Sequence, residues 1–238
     1  NDSATPTKLA GYSLTDSPRA PQQFVFAEDT VIAADGHLVL EASKNSGVRF
    51  KLNNDGEGLW LYNSDGQLID SVVFGRQVEA RSIGRAGREG NWTLTPPTFG
   101  SQNIAVPLGQ SHDVRLAGWT ANSTTGNDDS IVLQNTGTKP VDLADLRLTD
   151  RPLGAPAEFA FPPLSFIAER ERLELSSKRL GFNLSAGQGA VALGTSSGGW
   201  IDHLVYGPQS DGQTVVLIPP PSSPVNRFKL QTEVADGE

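Results

Sequence analysis

The chain has 238 residues, a formal net charge of −8 and a pI near 4.9, a length that accommodates about two domains. Its acidic balance argues against nucleic-acid partners and anionic membrane surfaces, which require phosphate-neutralising Lys and Arg, and no stretch reaches the ~18 apolar residues of a membrane-inserted helix. The absence of Cys removes disulfides, thiolate metal sites and Cys nucleophiles together. The chain starts at Asn1 and contains no Met, which reads as a mature or excised piece.

Helical periodicity is nearly absent, and short alternating runs separated by Gly, Pro, Asn and Asp dominate. Taken in chain order, the first run is Leu9-Ala10-Gly11-Tyr12-Ser13-Leu14-Thr15-Asp16. Phe24-Val25-Phe26 follows, a strand with both rings on one face, and then Leu38 and Leu40 on the inward face of another. Residues 59–62 and 67–69 flank Asn63-Ser64-Asp65-Gly66 and predict a hairpin. The following strand places Asp70, Val72 and Phe74 on one face. A patternless, turn-rich stretch over residues 98–111 contains the expected linker. Beyond it, residues 114–119 and 130–135 predict two more strands.

The pattern then recurs. Leu143-Ala144-Asp145-Leu146-Arg147-Leu148-Thr149-Asp150 repeats the first run, and Phe159-Ala160-Phe161 repeats the aromatic strand. Leu173 and Leu175 alternate with Arg172 and Glu174 as a strand with one wet side. Trp200-Ile201-Asp202-His203-Leu204-Val205-Tyr206-Gly207 repeats residues 68–75. Leu14 returns as Leu148 and Gly75 as Gly207, offsets of 134 and 132 that keep order and spacing. The expected fold is all-β, two tandem immunoglobulin-like β-sandwich domains. The first spans residues 1–103 without its two opening strands, a linker spans 104–112, and the second spans 113–226. In the extension over 227–238, Phe228, Leu230, Thr232 and Val234 alternate on one face, which reads as the start of a further copy or as an assembly strand.

These residues resemble the lamin-tail domain family. The resemblance rests on Asn127-Asp128-Asp129-Ser130-Ile131-Val132-Leu133-Gln134-Asn135 with Val141-Asp142-Leu143, and on Asp202-His203-Leu204-Val205-Tyr206-Gly207. In the first copy it rests on residues 70–75, on Ser82-Ile83-Gly84-Arg85, on Trp92, and on Pro97-Thr98-Phe99-Gly100-Ser101-Gln102-Asn103. Phe99 stands where the family usually has Pro, and Gln134 replaces the usual aromatic before Asn135. The resemblance implies an immunoglobulin-like fold without enzymatic activity, of the type found in bacterial secreted and cell-surface proteins.

Several residues are candidates for chemistry. Asp70 and Asp202 lie on apolar faces, where a carboxylate must be hydrogen-bonded; the expectation is that each accepts from backbone amides or hydroxyls of a neighbouring turn. Asp55 and Glu57 in one turn, and Asp128 and Asp129 in another, are oxygen ligands of the kind Ca²⁺ takes, outside EF-hand spacing. Asx-turn chemistry accounts for them equally well, so no cofactor is expected, with calcium the one ion these turns suit. Arg81, Arg85 and Arg88, beside Arg76, form a local basic cluster whose guanidinium forks suit an oxyanion, while Glu79 and Glu89 dilute its charge. Trp60 alternates opposite Leu59 and Leu61 and is a candidate sugar platform. His37, His112 and His203 make no ligand-spaced pair, and no nucleophile elbow or phosphate-binding Gly-rich Lys motif occurs. The expected function is therefore non-catalytic: a structural or adhesive module with a protein partner or self-association. The alternative is a carbohydrate-binding accessory module that takes a glycan.

Overall fold

The computed structural model describes residues 1–42, 47–87, 89–121, 128–155, 157–210, 214–218 and 227–231, the backbone alone for 216–218 and 227–231. In chain order the strands are β1 (Thr7–Lys8), β2 (Ser13–Thr15), β3 (Phe24–Val25), β4 (Val31–Ile32), β5 (Glu57–Tyr62), β6 (Leu68–Phe74), β7 (Ser82–Ala86), β8 (Asn91–Thr95), β9 (Val114–Thr120) and β10 (Ser130–Asn135). They continue as β11 (Val141–Asp142), β12 (Leu146–Thr149), β13 (Phe159–Ala160), β14 (Phe166–Ile167), β15 (Arg172–Ser176), β16 (Gly189–Thr195), β17 (Trp200–Tyr206), β18 (Thr214–Ile218) and β19 (Arg227–Gln231). One helical turn, α1 (Ser177–Leu180), follows β15 and ends at Gly181, whose φ of +80° suits a residue without a Cβ. The chain is all-β, with the immunoglobulin-like sandwich architecture expected from its alternation.

Two compact units divide the chain. The first comprises Asn1–Val106 with Pro162–Phe166, and the second Pro107–Phe161 with Ile167–Glu238. In the first unit, β3-β2-β5-β6 form a four-stranded sheet, β1 pairs with β4, and β7 pairs with β8. The hairpin turn between β5 and β6 is built by Asn63, whose Oδ1 accepts the amides of Asp65 (3.0 Å) and Gln67 (2.8 Å). In the second unit, β13-β12-β16-β17 form one sheet and β15-β10-β9-β18-β19 the other.

Pairing in the two units recurs residue by residue. Leu14 lies opposite Leu61 and Phe24, and Leu148 lies opposite Leu193 and Phe159. The β5–β6 ladder slips one residue past Leu61, and β16–β17 slips one residue past Leu193. Thr15 and Thr149 are both fully buried, and each hydroxyl closes the following turn by donating to a carbonyl, Ala20 at 2.8 Å and Ala155 at 2.5 Å. Phe24 meets Phe26 edge to face at 5.0 Å, and Phe159 meets Phe161 in the same way at 5.0 Å.

Their cores differ. The main buried cluster lies wholly in the second unit, where Leu116, Trp119, Ile131, Leu133, Leu148 and Leu193 meet between the sheets. Leu173, Leu175 and Leu204 join it as expected. Leu38 and Leu40 do not occupy a core: residues 37–41 form no strand, and Leu38 is 40% exposed. The physical reason is a missing neighbour. In the second unit β15 is held by β10, with Leu173 opposite Leu133 and Leu175 opposite Ile131, and the first unit has no counterpart of β10 among its described residues. Val72 is likewise only half-buried.

β19 pairs antiparallel with β18, from Thr214 opposite Gln231 to Ile218 opposite Arg227, as β8 pairs with β7. Residues 227–231 are thus extended and paired within the sheet of the second unit. The side chains of Phe228 and Leu230, and all of Thr232 and Val234, lie outside what the structure describes.

Candidate functional site

Among its described residues the first unit carries an apolar groove of about 450 Å³. Alternation places Leu59 of β5 and Val72 and Phe74 of β6 on one wall, and Ile83 of β7 and Trp92 of β8 on the other, with Leu52 at the rim. Only Phe74 is buried, at 7% exposure; Leu59, Val72, Ile83 and Trp92 are half-buried and Leu52 is 52% exposed. Nothing in the sequence marks this groove, because each apolar residue in it reads as an ordinary inward position.

Asp70 and Arg85 stand beside the groove. Arg85 Nη2 donates to Asp70 Oδ1 at 2.7 Å, its Nη1 donates to the Gly90 carbonyl at 3.2 Å, and its guanidinium lies 4.7 Å from the Trp92 ring centre. The Asp70 partner is thus a guanidinium together with the Ser71 amide (2.8 Å). Both members of the pair are almost half exposed, so it contributes at most about 1 kcal/mol. Asp202, at the same place on β17, works differently: its Oδ2 accepts the Leu116 amide of β9 at 3.0 Å and its Oδ1 the His203 amide at 2.9 Å. Asn103 braces β7, donating to the Arg85 carbonyl (3.0 Å) and accepting from the Thr98 hydroxyl (2.7 Å). A Cβ on Gly84 would meet the Asn103 amide at 2.5 Å, which accounts for glycine there.

The remaining candidates are spread apart. Arg81 lines the groove, Arg85 is committed to Asp70 and Trp92, and Arg88 lies outside the described residues, so no shared anion cradle forms from what is described. Asp55 donates its amide to Asn53 Oδ1 at 3.0 Å, and Glu57 accepts the Asn53 amide at 3.1 Å. Asp129 accepts the Leu184 amide at 2.9 Å, and Asp128 is exposed. Among the described residues no group of three or more His, Asp or Glu is disposed to hold a metal ion. Trp60 is half-buried, its ring laid along its own strand where a Cβ on Gly58 would collide at 2.3 Å.

One titratable cluster escaped the sequence reading. Arg151 bonds Glu158 and lies 3.6 Å from Asp150. Burial and the facing Glu158 carboxyl push the Asp150 carboxyl up, while the Arg151 guanidinium holds Glu158 down. Burial also raises Asp142, against the Ala144 amide that favours its charged form. The Asp150 cluster staples the turn that Thr149 closes, and in the first unit Gln23 takes the same place, its Oε1 accepting the Asp16 amide (3.2 Å) and lying 2.9 Å from the Thr15 hydroxyl. Asp150 and Glu158 are eight residues apart and meet only once that turn forms, so neither spacing nor alternation announces them.

No curated protein and no solved structure matches the chain. The family model of the lamin tail domain matches residues 1–76, a span that ends just beyond β6. The first unit is therefore similar to a lamin tail domain over β1–β6, an immunoglobulin-like fold.

Proposed function

We propose that the chain is a non-catalytic structural or adhesive module, made of two lamin-tail-like copies, that works through protein contacts in a bacterial secreted or cell-surface protein. The observation that carries the reading is the uneven covering of apolar surface. The second unit packs its sheets over a closed core, with Val191, Leu204 and Val215 at most 7% exposed, whereas the corresponding Leu59, Val72 and Ile83 of the first are half-buried and Leu52 is 52% exposed. Such a surface suits another polypeptide, either a partner or a second copy. The lamin-tail match over residues 1–76 supports an interaction module.

A photo-crosslinking side chain placed at Ile69 in the full chain tests this. The expected result is discrete covalent adducts with protein on the surface of the producing cell. A chain that gives no protein adduct and instead turns over a substrate, or binds only glycans on an array, overturns the reading.

A further inference from the structure

In the second unit, the face of the β13-β12-β16-β17 sheet turned away from Leu148 and Leu193 carries a row of residues that the first unit fills differently. The register sets Ala160, Arg147, Gly194 and Trp200 side by side across the four strands. The matching row of the first unit is Val25, Ser13, Tyr62 and Leu68. The fold thus accepts a large side chain where Gly194 stands. Glycine there makes room for the indole: a Cβ on Gly194 would meet Cε3 and Cζ3 of Trp200 at 3.0 and 3.2 Å, so the six-membered ring takes that space. The slip past Leu193 turns Trp200 outward, while Asp202 turns inward to the Leu116 amide. Trp200 remains 48% exposed. Polar groups share its face. Arg147 donates through Nη1 to the carbonyls of Ala144 (2.9 Å) and Leu146 (2.7 Å), which holds the guanidinium in place, and its Nε and Nη2 bond no described residue. One step along the sheet, Ser196 bonds the Asp145 carboxylate through its hydroxyl and the Asp145 carbonyl through its amide (2.8 Å). One step the other way, His203 lies opposite Ala192 and is exposed.

We propose that this face of the second unit binds an acidic glycan, stacking a hexuronate ring on Trp200 and pairing the sugar carboxylate with Arg147. A pyranose presents an apolar C–H face that covers an indole, whose body is apolar and whose rim is wet. Charge complementarity selects the acidic sugar: Nε and Nη2 of a guanidinium match the two oxygens of a carboxylate. Asp145, steadied by Ser196, supplies an acceptor for a sugar hydroxyl, and the His203 ring supplies a further polar edge. The first unit has Ser13 and Leu68 in place of the fork and the platform, so the site belongs to the second copy alone. This inference is independent of the protein-contact reading, which rests on the first unit.

The test is calorimetric titration of the full chain with hexamers of galacturonate and of mannuronate, and with neutral cellohexaose. A uronate hexamer should bind saturably, at least tenfold tighter than cellohexaose, and should weaken as salt is raised. Trp200→Ala and Arg147→Gln should each lower the affinity at least tenfold, while Trp200→Tyr keeps an aromatic face and retains binding. Leu68→Ala, at the matching position of the first unit, should leave binding unchanged. Arg147→Gln removes no apolar packing and carries the test if Trp200→Ala disturbs the fold. No binding of either uronate hexamer, cellohexaose binding as tightly, or uronate binding indifferent to both substitutions overturns the proposal. Protein adducts at Ile69 are read separately: their loss with uronate binding intact sinks the module reading alone, and the reverse sinks the glycan site alone.

Discussion

Tyr206 and Phe74 occupy corresponding positions, and the hydroxyl that separates them has a measurable consequence. Tyr206 is 6% exposed beneath Trp119, and burial, assisted by the Asp150 charge, pushes its phenol up from 10.0 to about 12. The folded state therefore favours the protonated phenol. That contribution is complete below pH 10.0 and is lost as the pH rises through about 12. Absorbance at alkaline pH should show one tyrosine ionising near 12, accompanied by loss of stability across that window. Tyr206→Phe should abolish both and change stability at neutral pH by no more than about 1.5 kcal/mol. An unchanged alkaline transition in the variant would place the titrating group elsewhere. Asp150 and Asp142 act in the same sense at the acid end. Their raised values favour the protonated fold, so their contributions are present below the ordinary aspartate range and fade as the pH climbs through the raised values.

Among the elements, burial separates residues that look equivalent in sequence. Leu148 of β12 is fully buried, so Leu148→Ala should cost about 2–5 kcal/mol in urea unfolding. Leu59 of β5 is half-buried on the open groove, and Leu59→Ala should cost less than half as much; equal costs would mean that the groove is closed in solution. Alternation made the sheets legible: β2, β3, β12 and β13 and the hairpins β5–β6 and β16–β17 all follow from period-two patterns and turn residues. It could not report neighbours. Leu38 and Leu40 alternate as Leu173 and Leu175 do, yet a strand persists only where another strand satisfies its edge. The same limit applies to the tail. Its alternation marks an extended segment, but only the ladder to β18 shows that it is the counterpart of β8. A longer connection in the second unit, 218 to 227 against 86 to 91, hides that match from residue counting. The groove was illegible for a further reason: it is defined by absent atoms, and no residue type signals a void.

At the level of the whole molecule, the two units should not share one stability. The first unit has a divided β-structure and buries few apolar side chains, whereas the second has a continuous core. Scanning calorimetry of the full chain should resolve two transitions, with the first unit melting at the lower temperature; a single two-state transition would contradict this asymmetry. Between the two transitions the chain should carry an unfolded first unit on a folded second one, a state that a protease at intermediate temperature would trim to the second unit alone.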